Sequence, residues 1–532
     1  MISLQSKRLL VFFSVLVSCA ASAQIAEQWY LGETTPDASG ISCYRAYNEL
    51  LKGKSATPVV VAVIDSGTET FHPDLKANIW VNTDEVPGNG ADDDQNGYID
   101  DVNGWSFIGG IKGNVEYDNL EFTRIYKGLH TEFNGKQKAQ LPKDRWSDFA
   151  RYEQMQKEYN MRIDQAKEEK AQFDNVIQFQ KMAESTMRQV LGKDDYTLAE
   201  VQAYEPSDEY TKAVKDFMIA SISEDLASQF KDWEEHIISQ FNYSYNLDFD
   251  PRHLVGDNYD DVNERFYGNN YVDGPHAGHG THVAGIIGAV AGNEGIDGIA
   301  REVKLMIIRC VPNGDERDKD VANAIRYATD NGARVINMSF GKSYSPDKAA
   351  VDAAVKYAES KGVLMVHAAG NDSRNTDKSR NFPTDKMDGK RAVSTWMEIG
   401  ASGSSVGDLA APFTNYGKKS VDVFAPGVGI YSTYPDGKYV KQNGTSMAAP
   451  VVSGIAAVLM SYFPTLTAAE VKQILMESSV KYGKTKTTLP GTMAGGDPKA
   501  KPVMVTFSKL SRSGGVVNLY EAVKRAQELS AR

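Results

Sequence analysis

Residues 276–285 read HAGHGTHVAG, which sets His276, His279 and His282 three apart and gathers three of the chain's eight histidines within seven residues. Such crowding fits a zinc site, a catalytic base or chance, and the spacing alone leaves all three open. Three other places could share the chemistry. Asp65 ends the apolar run PVVVAVIDSG, where a carboxylate can be held rigidly. Asn371 ends a second run, GVLMVHAAGN, and Ser446 stands in NGTSMAAPVVSGIAAVLMSYF, where small residues give way to an apolar helix. Each alone has a plain structural reading, since a serine at a helix start is often an N-cap. Together they compose a mechanism. A serine hydroxyl is a poor nucleophile at neutral pH and needs a base such as His279; the base needs Asp65 to fix its tautomer and stabilise imidazolium. Attack on an amide creates an oxyanion, for which Asn371 offers a side-chain N–H and Ser446 its backbone N–H.

These residues need a frame. PVVVAVIDSG, VKLMIIRCV (303–311), ARVINMSFG (333–341) and GVLMVHAAGN are continuous apolar runs, the pattern of strands buried on both faces. Residues 318–332 and 345–362 carry apolar positions at helical spacing and end in glycine, as a C-cap would. Strand and helix alternating at this rhythm predict crossover connections and a parallel sheet, an α/β core with its active residues at the carboxyl ends of strands. Between about 111 and 255 the composition changes. Residues 145–191 are rich in charged residues and helix formers with a recurring Phe, Tyr, Met and Ile face, and a second helical tract covers about 208–231. This predicts a helical insertion, serving either as inert elaboration or as a lid or partner-binding module.

The four signatures resemble the subtilisin-like serine peptidases, the subtilases: Asp65 in VAVIDSGTETFHPDL, His279 in HGTHVAGIIGA, Asn371 in HAAGN and Ser446 in GTSMAAPVVSG, in the family's order and over roughly residues 26–110 and 255–525. The resemblance implies a doubly wound, mainly parallel seven-stranded sheet with helices on both faces, and an exported serine endopeptidase acting on polypeptides. It puts the base on His279, the first histidine of HGTH, and His282 on the buried side of the helix start. It also matches Ser339, Phe340 and Gly341 in NMSFG to the edge segment that pairs with extended substrate. A zinc site would need three converging rings, which a spacing of three carries around a helix; no HExxH accompanies them.

The chemistry requires no cofactor, but DDDQNGYIDD (92–101) is a candidate structural calcium loop. Asp92, Asp94, Asn96 and Gly97 occupy positions one, three, five and six of an EF-hand-like pattern; Asn103 replaces the bidentate Glu at twelve, leaving Asp100 or Asp101 to supply a carboxylate. Residues 256–270 are a weaker second candidate.

Composition bounds the rest. The chain has 532 residues, net charge −12 and a hydrophobic share of 41%, enough for a large core and contrary to a nucleic-acid partner. Lys7 and Arg8 precede LLVFFSVLV and ASA, a signal peptide over 1–23. LVSC (16–19) resembles a bacterial lipobox ending in Cys19. The expectation is an exported bacterial monomer, secreted, periplasmic or lipid-anchored at the outer surface, without a membrane span. Cys43 and Cys310 read as small buried residues. The expected divisions are a peptidase first part (24–110), the insertion (111–255) and a second part (256–532).

Two features depart from the family pattern. Asp65 and His279 stand 214 residues apart, a separation that loop-closure entropy tolerates. Only 35 residues separate Gln24 from Val59, too few for a folding prodomain, which predicts maturation without autoprocessing. A competing function is a catalytically idle protease-fold protein that binds through its insertion. A scaffold, however, has no physical need of a preorganised nucleophile.

Overall fold

The computed structural model describes residues 27–531 apart from 224–225, 388–389, 392 and 493–500. The signal-peptide reading and Cys19 therefore lie outside the described residues. The chain divides into two compact units, Met1–Glu116 with Pro251–Arg532, and Tyr117–Asp250.

The first unit is built on one sheet. Its strands in chain order are β1 (Val59–Asp65), β2 (Gly104–Ser106), β3 (Val303–Arg309), β4 (Val335–Met338), β5 (Leu364–Ala368), β6 (Trp396–Ser402), β7 (Val423–Pro426), β8 (Val480–Lys481) and β9 (Gly515–Val516), arranged β8-β9-β7-β6-β5-β4-β1-β3-β2. All neighbours run parallel except β8 and β9. The expected doubly wound sheet is present, with nine strands in place of seven. Its edges are extended by strands of two or three residues, too short to leave an apolar run in the sequence.

Strand β1 is third from one edge, pairing with β3 through Val59↔Val303 to Asp65↔Arg309 and with β4 through Val61↔Val335 to Ile64↔Met338. Its β-branched residues suit a strand covered on both sides. The period-two alternation divides them: Val59, Val61 and Val63 pack with the helices Gly278–Gly288 and Thr445–Tyr462, whereas Ala62 and Ile64 pack with Asp318–Asp330 and Lys348–Ser360. One helix among the described residues is apolar and long enough to cross a membrane. It is Thr445–Tyr462, which lies in this core. Cys43 and Cys310 are buried free thiols.

The second unit is helical. It comprises Glu121–Phe133, a 46-residue helix Trp146–Leu191, and the shorter Leu198–Ala203, Glu209–Ser223 and Leu226–Ser239. Tyr126 stacks on Tyr159 at 4.6 Å, Phe173 meets Trp233 edge-on at 5.1 Å, and Ala183, Met187, Val201, Val214 and Met218 form a small core. The long helix ends at Gly192 with φ 68°, a left-handed cap of the kind that glycine adopts without strain.

Candidate active site

Asp65 is the last residue of β1, and the sheet buries it to 2% exposure. His279 stands in the first turn of Gly278–Gly288, where its Nδ1 lies 2.7 Å from Asp65 Oδ1. The backbone N–H of Ser66 donates to the same carboxylate oxygen at 2.8 Å. Burial disfavours the imidazolium of His279, but the Asp65 carboxylate and its hydrogen bond outweigh that, and the His279 pKa is raised.

The neighbouring histidine behaves in the opposite way. His282 is fully buried, and its Nε2 donates to the carbonyls of Ile430 and Val440 at 3.0 and 3.1 Å. Burial lowers its pKa to about 4, so it is neutral at physiological pH. His276 lines a cavity of about 280 Å³ together with Asp65, Ser66, His279, Val311–Asn313, Ser339 and Phe340. A larger cavity of about 540 Å³, beside Lys348, Arg380 and Glu398, contains none of Asp65, His279 or Ser446.

Ser446 is the second residue of Thr445–Tyr462. Its hydroxyl donates to the carbonyl of Ser339 at 3.0 Å. The carbonyl of Ser446 is itself set by the sequence: Pro450, four residues on, has no N–H to offer it. Ser339 Oγ donates to that carbonyl at 2.9 Å instead. Asn337 Nδ2 donates to Ser339 Oγ and accepts at Oδ1 from Ser453 Oγ, both at 2.9 Å. Asn337 and Ser453 were not singled out by sequence reasoning. A polar residue inside the apolar run VINM was the available signal, since buried amides are kept where they find partners.

Asn371 follows the end of β5. Its Oδ1 accepts from the backbone N–H and the hydroxyl of Thr445, both at 2.9 Å. Between Asn371 and Ser446 stands Gly444, at φ 157°. A Cβ there would sit 3.4 Å from Asn371 Nδ2 and 3.5 Å from Ser446 N, so both nitrogens border one small volume that the glycine leaves open. Of the substrate-edge candidates, Ser339 and Phe340 line the 280 Å³ cavity, whereas Gly341 packs under Asn381, whose Oδ1 would stand 2.5 Å from an added Cβ.

Residues 56–497 match the Peptidase_S8 profile, described as the subtilase family. The chain belongs to the subtilase family of serine-type endopeptidases. It is 38% identical over 208 residues to subtilisin DY of Bacillus licheniformis, covering 39% of this chain and 72% of that protein. Thermitase of Thermoactinomyces vulgaris is 41% identical over 186 residues, 35% of this chain and 61% of its own. The major intracellular serine protease of Bacillus subtilis (strain 168) is 39% identical over 187 residues, 35% and 56% of the two chains.

The acidic loop is assembled differently from the sequence pattern. Carboxylate oxygens of Glu85, Asp92 and Asp94 lie within 4.8 Å of one another. Glu85, seven residues before the loop, had no place in the EF-hand-like template. Asn96 Oδ1 instead accepts from Tyr98 N at 2.8 Å, and the buried Asp101 accepts from Asn82, Asn96 and the Tyr327 hydroxyl. In the 256–270 segment, Asp257 is ion-paired with Arg252 and Lys319, and Glu264 with Lys319.

Proposed function

We propose that this chain is an exported endopeptidase in which Asp65, His279 and Ser446 form the catalytic triad and Asn371 stabilises the oxyanion. The observation that carries the reading is the 2.7 Å bond between Asp65 and His279, residues 214 apart in sequence. In the free enzyme the Ser446 hydroxyl rests on Ser339 O. On catalysis it turns to His279 Nε2, gives up its proton there and attacks the substrate carbonyl. Apo sites commonly hold such bonds in a looser arrangement than the reacting complex. The oxyanion forms in the volume beside Gly444, facing Asn371 Nδ2 and Ser446 N. His279 then passes its proton to the leaving amine, and water repeats the sequence on the acyl-enzyme. Ser339, Phe340 and Gly341 align extended substrate, and the 280 Å³ cavity beside them takes one of its side chains.

Fluorophosphonate labelling and hydrolysis of unfolded casein test this. Ser446→Ala should abolish labelling and lower turnover by at least about 10⁴-fold. Equal hydrolysis by the wild type and S446A would overturn the assignment.

Glu85, Asp92 and Asp94 fit a hard divalent cation, since three carboxylates with oxygens this close are suited to calcium. Burial, followed by the charges of Asp101 and Asp94, raises the Glu85 carboxyl above its ordinary range despite two backbone donors. A bound calcium ion would neutralise that repulsion and fix the loop. Export, with or without a lipid on Cys19, is inferred from residues 1–23. Within the chain we assign catalysis to the α/β portion and selection of substrates to the inserted helices.

A further inference from the structure

Arg309 ends β3 in register with Asp65, the last residue of β1. Residues directly opposite on parallel strands project to the same face, so the two side chains share one side of the sheet. The Arg309 side chain is 1% exposed. Among the described residues its hydrogen bonds nevertheless go to uncharged oxygens: Nε donates to Ser66 O at 3.0 Å, Nη2 to Val115 O at 2.6 Å and Nη1 to Ser106 Oγ at 3.5 Å. Burial lowers its pKa to about 10, opposed by Tyr271, Glu116 and Cys310, which leaves it charged at neutral pH. A buried cation without a bonded carboxylate is costly, whereas an apolar side chain of similar length would fill the space without that penalty. The guanidinium therefore calls for an explanation in what it holds.

It holds Ser66, and every polar group of Ser66 constrains the site. The N–H donates to Asp65 Oδ1 and the hydroxyl to the carbonyl of His276, each at 2.8 Å. The carbonyl is held by Arg309. The segment that returns to the histidine helix presses on this same bond: a Cβ on Gly274, at φ 72°, would stand 2.5 Å from Arg309 Nε and 3.1 Å from Ser66 O. The second arm of the guanidinium fixes Val115 on the outgoing stem, two residues before the helical unit begins at Tyr117.

We propose that Arg309 is a positioning residue for the catalytic aspartate: by clamping Ser66 O it sets the Asp65 carboxylate against His279, and it ties that turn to the stem of the insertion. The inference rests on the peptidase reading above. It deepens that reading by naming a residue that touches neither substrate nor the reacting atoms and acts through Ser66.

The test is the pH dependence of fluorophosphonate labelling in the full-length chain, with kcat and KM on a peptide and the melting temperature measured alongside. His279 must be neutral to act as base, and its raised pKa comes from Asp65; the other titratable groups around it are Tyr271, Asp273, His276 and His282 on its own loop and helix, Arg309 beside Asp65 at the strand ends, and Tyr434, which meets the helix at Gly278. Loosening the Asp65 turn should therefore move the acid limb down. Arg309→Gln should slow labelling about tenfold or more and lower kcat with KM nearly unchanged. It should also shift the acid-limb midpoint down by about half a pH unit. Arg309→Lys, which keeps one donor, should recover part of that shift. Gly274→Ala wedges a methyl against the bond without removing the charge and should move the midpoint in the same direction. If R309Q does not fold, R309K and G274A decide. Variants that lose melting temperature but keep the wild-type midpoint would overturn the role of Arg309 and leave the triad standing. A wild type that fails to label at Ser446 would overturn both.

Discussion

Strand β1 buries six of its seven residues, whereas the 46-residue helix Trp146–Leu191 buries only Phe149, Tyr152, Met155, Ala166, Phe173, Ala183 and Met187. The strand is fixed by hydrogen bonds on two edges and by side chains on two faces, so its last residue can hold a carboxylate at 2.7 Å from an imidazole contributed 214 residues later. The helix is held at aromatic joints and lined with pairs such as Lys167–Asp164 and Lys170–Asp174, both more than half exposed. Pairs of that kind contribute at most about 1 kcal/mol. Catalysis needs a positional precision that only the first environment supplies. The second tolerates substitution and suits a task judged by shape.

That contrast predicts a gradient of effects. The largest belongs to Asp65→Asn, which preserves shape but removes the charge that fixes the His279 tautomer. Turnover on a peptide substrate should fall about 10⁴-fold. Asn371→Ala removes one donor beside Gly444 and should lower kcat by about 10²–10³-fold with little change in KM. A loss confined to KM would assign Asn371 to binding.

Two of the strongest local signals in the sequence lay in these same buried elements. Apolar runs ending in Asp65 and Asn371 made the central strands legible, and glycine-closed helical text made the crossovers legible. The long helix was equally visible, from residue 145 against an observed Trp146. What stayed hidden depends on contacts between distant segments. Ser339 and Ser446 exchange two hydrogen bonds across 107 residues, and no local spacing announces that pairing. Glu85 joins Asp92 and Asp94 because the turn between them folds back, whereas the template read only a contiguous loop. The histidine cluster shows the limit most sharply. One ring ended beside a carboxylate and the other beside two carbonyls, and only burial and partners separate their chemistry.

The two rings also respond oppositely to pH. The folded-state pKa of His282 is lowered to about 4. Its contribution is therefore complete above the ordinary imidazole value of about 6.5 and is lost as pH falls through about 4. Melting temperature should drop across that window, reflecting a stability loss on the order of 3 kcal/mol at its full extent. His279 has a raised pKa, so its contribution is present below about 6.5 and is lost as pH rises through its folded value. His282→Gln should flatten the acid side of the profile. An unchanged slope would place the titrating group elsewhere.

Smaller effects are expected at the acidic loop. Chelation should lower the melting temperature by about 2–5 °C, and Asp92→Ala with Asp94→Ala should erase the difference between calcium and chelator. Identical melting curves with and without calcium would remove the loop as a cation site. The smallest effect on the chemistry should come from the second unit. Replacing residues 117–250 with a Gly/Ser linker should leave the Ser446 labelling rate within about twofold while raising hydrolysis of bulky proteins relative to short peptides. An unchanged protein-to-peptide ratio would mean that the helices do not filter access.

The most direct test of the central claim locates the fluorophosphonate adduct by peptide mapping and follows its rate of formation against pH in the wild type and in Asp65→Asn. The adduct should map to Ser446, the wild-type acid limb should lie above the ordinary imidazole value of about 6.5, and the limb should move down when the Asp65 charge is removed. An adduct on another residue, or an acid limb at the same pH in both proteins, would contradict the proposal that Asp65 acts on Ser446 through His279.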